Sequence, residues 1–213
     1  MKNTKLIIVI VILLSFLIGI LLYNKAPAQM ASHWNAQGIV DDYMPKFWGL
    51  FLMPLISVVL FFLFILIPKI DPYKKNIDKF KKYYDNFILL IILFLFYIYI
   101  LSLLWNFDIR FNLVQLLSPA FGILFYYAGV LIKNAKRNWF IGIRTPWTLS
   151  NEKVWNKTHH LGAKLFKTCG ILSFIGVLSP EYAIGLILVP IIVCTLYVLV
   201  YSYVEFRKIK SEP

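Results

Sequence analysis

Apolar residues in this chain come in long uncharged runs rather than in stripes. Five such runs, Leu6 to Asn24, Phe47 to Pro68, Asn86 to Phe107, Phe111 to Ile132 and Tyr182 to Val204, pass without a single Asp, Glu, Lys or Arg. A helix needs about 20 apolar residues to cross a hydrocarbon layer of about 30 Å, so each run predicts one crossing. The sixth run, Thr168 to Pro180, is shorter. Lys164 and Lys167 precede it and can lay their methylene stems along a helix while lifting their ammonium groups to the interface, which extends the crossing to residues 163–180. The pattern therefore predicts an all-α integral membrane protein, a single polytopic domain over residues 1–213 with six transmembrane helices near 6–24, 47–68, 86–107, 111–132, 163–180 and 182–204. The first run exceeds the 7 to 15 residues of a signal-peptide core, and Ala26-Pro27-Ala28 beyond it has proline at its centre, so it is expected to be retained as a helix.

The polar connectors fix an orientation. With six crossings, one side carries the N-terminus, the 69–85 connector, the 133–167 connector and the tail after Val204, holding two, six, eight and three of the 22 Lys and Arg residues. The other side has only Lys25, Lys46 and Arg110. Positively charged loops stay inside, so both termini are expected in the cytoplasm of a bacterial or archaeal cell, with the chain a multi-pass protein of the cytoplasmic membrane. The formal net charge of +12 then belongs to the inner face, where anionic lipid headgroups are its natural partners; nucleic acid is not expected to bind directly.

Short amphipathic helices are expected in the inner connectors, the second of them running into the fifth span. Asp71-Pro72 is a helix start, and Ile70, Tyr73, Ile77, Phe80 and Tyr84 recur at steps of three and four, as in a helix lying on the inner leaflet. In the second connector, Gly142 and Pro146 break the chain around Arg144 and Thr145, Ser150 is a candidate N-cap with Glu152 in the first turn, and a lysine stripe from Lys153 to Lys167 borders Val154, Leu161 and Leu165. The guanidinium of Arg144 can clamp this loop to neighbouring helices or hold a partner, and the sequence leaves both readings open.

Candidate chemistry changes this picture little. There is no zinc-protease helix, no nucleophile elbow, no phosphate-cradling loop and no acidic residue deep in a run, so neither an enzyme nor a proton-coupled transporter is expected. Cys169 and Cys194 fall within runs and read as small hydrophobes, and no cofactor or metal is expected. The outer segment from His33 to Trp48 reads either as an interfacial loop, with Trp34, Tyr43 and Trp48 in an aromatic belt and a turn at Gly38, or as a recognition surface.

These two polar segments carry a family resemblance. The stretch NWFIGIRTPWTLSNEKVWNKTHHLGAKLF, residues 138–166, resembles the signature of the SdpI family of bacterial membrane proteins, and HWNAQGIVDDYMPK, residues 33–46, resembles that family's other hallmark; both lie in the family's order. Where the family often has Arg after the first His, this chain has His160. The resemblance implies immunity against a secreted toxin peptide, and signalling by a receptor that holds a small cytoplasmic repressor at the bilayer. It implies an outer, toxin-facing set of His33, Trp34, Asn35, Gly38, Asp41, Asp42, Tyr43 and Lys46. The inner signature set is Asn138, Gly142, Arg144, Thr145, Pro146, Trp147, Thr148, Trp155, Thr158 and His159. A transporter or channel without an immunity role is the alternative.

Overall fold

The computed structural model describes residues 2–211 of the chain. Six long helices run back and forth: α1 (Lys2–Leu22), α2 (Lys46–Ile70), α4 (Lys81–Asn106), α5 (Leu113–Asn134), α7 (Glu152–Ile175) and α8 (Ala183–Ser211), with the five-residue α3 (Lys74–Asp78) and α6 (Pro146–Ser150) in the connectors. All six long helices are long and apolar enough to cross a bilayer, and the chain is a multi-pass membrane protein. In the fifth, the amphipathic segment runs into the span, as expected. It is one uninterrupted helix of 24 residues followed by 3-10 turns at 176–178 and 180–182.

Two groups of helices share the load. α1, α2 and α4 pack together around one end of the chain, α5, α7 and α8 around the other, and α4 against α5 joins them. The closest approach is between α5 and α7, and small residues allow it. A Cβ on Gly122 would lie 2.8 Å from the Gly170 carbonyl oxygen, a Cβ on Gly170 2.6 Å from that of Gly122, and one on Gly129 2.7 Å from that of Ala163. In hydrocarbon, where apolar side chains gain nothing by leaving lipid, such backbone-to-backbone contact is a main source of helix association.

Two connectors depart from the sequence reading. The segment expected as an outer loop is a two-stranded antiparallel hairpin, β1 (Gln29–Trp34) and β2 (Val40–Pro45), with a bulge between Ala31 and Trp34. The stripe expected on the leaflet surface is instead in the protein core: Ile77, Phe80 and Tyr84 are buried against Ile8, Ile12, Ile88 and Trp155, while Ile70 and Tyr73 are exposed. Asp71 does not cap α3, whose N-cap is Tyr73. Its carboxylate instead accepts from the Tyr73 amide at 2.6 Å and, across to the other connector, from the Trp139 amide at 2.9 Å. Asn76 donates to the Arg137 carbonyl at 2.8 Å. Periodicity located the buried face, but the neighbouring connector, distant in sequence, supplies what it packs against.

Adding a side chain at the α5–α7 crossing should be costly. Gly170→Val is expected to lower stability by roughly 1–3 kcal/mol, the usual range for overpacking, read as a lower unfolding temperature in detergent. Gly185→Val, at a position on α8 where a Cβ would meet nothing within 4 Å, should leave it nearly unchanged.

Candidate functional site

The hairpin closes one end of the bundle. Its inner residues hold it down: Met30 and Ala31 are buried, Gly49 on α2 makes room for the Met30 side chain, and Asn106 at the end of α4 exchanges two hydrogen bonds with the Ala31 backbone, accepting its N–H at 2.7 Å and donating to its carbonyl at 3.2 Å. The turn is built by Asn35, whose side-chain oxygen accepts the amides of Gln37 and Ile39, both at 3.0 Å, and by Gly38 with φ of 76°. Asn112 donates to the Gln37 carbonyl at 3.2 Å and sits where a Gly38 side chain would have to go. Positive φ and close approach both demand glycine there.

Several expected contact residues are thus turn and anchor residues. Asn35 and Gly38 shape the turn, and Trp34 is half-buried, packed edge-on to Trp105 with ring centroids 5.8 Å apart. Lys46 places its ammonium 4.7 Å from the centre of the Tyr23 ring. The exposed part is His33, Asp41, Asp42 and Tyr43, flanked by Ile39 at the tip and by Phe47 and Trp48. His33 Nδ1 and Asp41 Oδ1 lie 2.5 Å apart, and Asp42 accepts the Tyr43 amide at 2.7 Å. The hairpin therefore presents two carboxylates and an imidazole among aromatic rings, a surface suited to a peptide with basic and apolar side chains.

The opposite end holds the irregular 135–145 backbone, folded onto the short α6 and the first turns of α7. Asn138 is its hub. Fully buried, its amide donates to the carbonyls of Lys136 at 2.8 Å and Ile141 at 2.9 Å and accepts from the amides of Phe140 at 2.9 Å and Ile141 at 2.6 Å. Gly142, with φ of 112°, lets the chain pass over His159; a Cβ there would lie 2.5 Å from Nε2. That nitrogen accepts the Ile143 amide at 3.1 Å, and Nδ1 faces the Trp155 carbonyl at 2.8 Å, so the ring must be neutral with its proton on Nδ1. Trp155 stacks on the imidazole at 3.8 Å between centroids and donates its indole N–H to the Ala135 carbonyl at 3.0 Å.

The next turn is a reciprocal cap. Thr145 Oγ1 accepts the Thr148 amide at 3.1 Å, and Thr148 Oγ1 accepts the Thr145 amide at 2.9 Å and donates to the Ile143 carbonyl at 2.8 Å. Pro146 takes the first helical position of α6. Thr145 also donates to Ser202 on α8 at 3.1 Å, and Trp147 packs on Tyr203. Ser150 is not the cap of α7: it donates to the Trp147 carbonyl, and Asn151 caps the helix by accepting the amides of Lys153 and Val154. Arg144 is exposed and donates to the Trp139 carbonyl at 3.0 Å, a bond within its own loop rather than to a neighbouring helix. Thr158 is fully buried. Sequence reasoning placed Asp71 only as a helix start and did not find Asn76, Asn106, Asn112 or Ser202, because these residues have partners far away along the chain; Asn151, one residue from the predicted cap, was within its reach.

What fold and site define together is a multi-pass membrane protein with an acidic-aromatic hairpin at one end and a self-satisfied polar loop at the lysine-rich end. Residues 134–202 match the model of the SdpI/YfhL protein family, and residues 10–58 match that of a domain of unknown function, DUF1648. The chain is 26% identical over 208 residues to the Immunity protein SdpI of Bacillus subtilis strain 168, covering 97% of this chain and 98% of that protein. The likeness to that protein thus runs nearly end to end, while the SdpI/YfhL family match lies in the carboxyl-terminal part of the chain. No solved structure matches it.

The loop's bonds set an order of importance that differs from the order of charge. Asn138→Ala orphans backbone groups on three residues, each costing about 1–3 kcal/mol when buried, and should lower the unfolding temperature in detergent far more than Arg144→Ala. Equal losses would mean that Arg144 holds the loop as firmly as Asn138 does.

Proposed function

We propose that this protein confers immunity, protecting the cell that makes it against a secreted toxin peptide acting at the membrane. The observation that carries this reading is the end-to-end match to a protein named for immunity, which spans both polar segments and all six helices. The hairpin supports it, since its exposed acidic and aromatic side chains stand on a surface fixed to α2 and α4. In this reading the lysine-rich end faces the cytoplasm and the hairpin faces out, following the distribution of Lys and Arg.

A signalling role is the finer part of the proposal. Beside the lysines, Trp139, Phe140 and Arg144 are exposed together on the ordered loop, which gives a soluble repressor an aromatic and cationic surface to dock on. The buried signature residues hold that surface in shape.

Expression in a host sensitive to membrane-active killing peptides should raise survival. Asp42→Ala and Tyr43→Ala, both exposed, should reduce that protection at unchanged protein level, whereas Arg144→Ala should spare it and weaken only recruitment of a repressor. Killing curves identical with and without the protein, across a panel of such peptides, would refute immunity. Labelling of intact cells at a cysteine placed at Gln37 but not at one placed at Ser150 is the expected orientation.

A further inference from the structure

Besides its exposed loop, the lysine-rich end of the bundle contains a cavity. It has a volume of about 380 Å³ and lies between α1, α2, α3 and the start of α4, within the roughly 300–1,000 Å³ range of small-molecule sites. Lys5, Lys69, Lys74 and Lys81 line it together with two carboxylates, Asp78 and Asp85. Lys81 approaches Asp85 Oδ1 at 3.4 Å, while among the described residues Lys5, Lys69 and Lys74 form no ion pair within 4.0 Å. Four lysines and two carboxylates thus share one space, which leaves an excess of two positive charges there, and three of the lysines have no ion pair among the described residues.

Two further features narrow what would fit there. Asp85 is only 7% exposed, and its second oxygen, Oδ2, has no hydrogen-bond partner among the described residues. A buried carboxylate oxygen is costly unless a donor reaches it. The walls also change character with depth. Lys5 is followed one turn along α1 by Ile8, Lys69 is preceded one turn along α2 by Ile65, and Ile88 follows Asp85 on α4; all of these residues line the cavity. The α1, α2 and α4 walls are each polar at the bundle end and apolar one turn further in, which is the profile of a lipid at the junction of headgroup and acyl chain.

We propose that this cavity is a binding site for a phosphodiester headgroup that also carries a hydrogen-bond donor, supplied by an anionic phospholipid of the adjoining leaflet. Lys5, Lys69 and Lys74 hold the phosphate, Asp85 Oδ2 accepts from a headgroup hydroxyl, and the apolar wall takes the first carbons of the chains. Basic pockets between transmembrane helices bind anionic headgroups by this chemistry. The site is separate from the hairpin and loop, and stands whether or not the protein confers immunity.

The test uses the full-length protein in a neutral detergent, with calorimetric titration of short-chain phosphatidylglycerol, phosphatidylmethanol, phosphatidylcholine and free glycerol phosphate. Saturable binding of phosphatidylglycerol is expected, roughly tenfold or more tighter than phosphatidylcholine and weakened to a similar degree in Lys69→Gln/Lys74→Gln, with affinity falling as salt rises. Phosphatidylmethanol has the same charge and no headgroup donor; it should bind more weakly to the natural protein and equally well to Asp85→Asn. Should the double variant unfold at a lower temperature, the salt dependence and lipid selectivity of the unaltered protein decide. Absence of saturable binding, or no preference over phosphatidylcholine, overturns the site. Equal affinity for phosphatidylglycerol and phosphatidylmethanol overturns the role of Asp85, and glycerol phosphate binding as tightly as the lipid overturns the bilayer as its source.

Discussion

Irregular backbone next to a bilayer survives only if its N–H and C=O groups find partners, because hydrocarbon offers none. The irregular 135–145 segment meets that constraint with its own side chains and with those of α6 and α7 just after it. Asn138 serves the backbone groups of three residues, Thr148 closes the Thr145 turn, and the His159 ring receives the Ile143 amide. Much of this chain's long polar stretch is therefore the chemistry of a loop that satisfies itself. This accounts for buried residues in a stretch that reads as solvent-exposed.

The same constraint ties the two lysine-rich connectors to each other. Asp71 accepts the Trp139 amide and Asn76 donates to the Arg137 carbonyl, while Ile77 and Phe80 fill the core beneath. The halves of the molecule are joined in the membrane by α4 against α5 and outside it by these connectors. Without Asp71 the Trp139 amide would lose its side-chain acceptor, and the exposed aromatic pair at Trp139 and Phe140 would be less firmly placed.

How much of this was legible in the sequence follows from the length scale of each signal. The six crossings were, since hydrocarbon thickness sets a long uncharged run that few other structures require. The hairpin was not: Gln29 to Trp34 lacks clean alternation, and its strand character comes from burial of Met30 and Ala31 against α2 and α4 and from the bonds to Asn106. The stripe of Ile77, Phe80 and Tyr84 was visible as a stripe, yet periodicity cannot distinguish a lipid headgroup layer from a protein neighbour. At the polar loop, residue identities pointed to Arg144 because charge is conspicuous, whereas Asn138, an uncharged amide, makes four bonds to the loop's one from Arg144.

Asn106 is the last residue of α4, and Lys81 is its first. That helix, 26 residues or roughly 39 Å at 1.5 Å per residue, is thus one stiff rod with the hairpin bolted to its far tip and the cationic cavity at its near one. The hairpin backbone at one membrane face and the lysine-lined cavity at the other therefore hang on a single helix, with no loop between the two attachments.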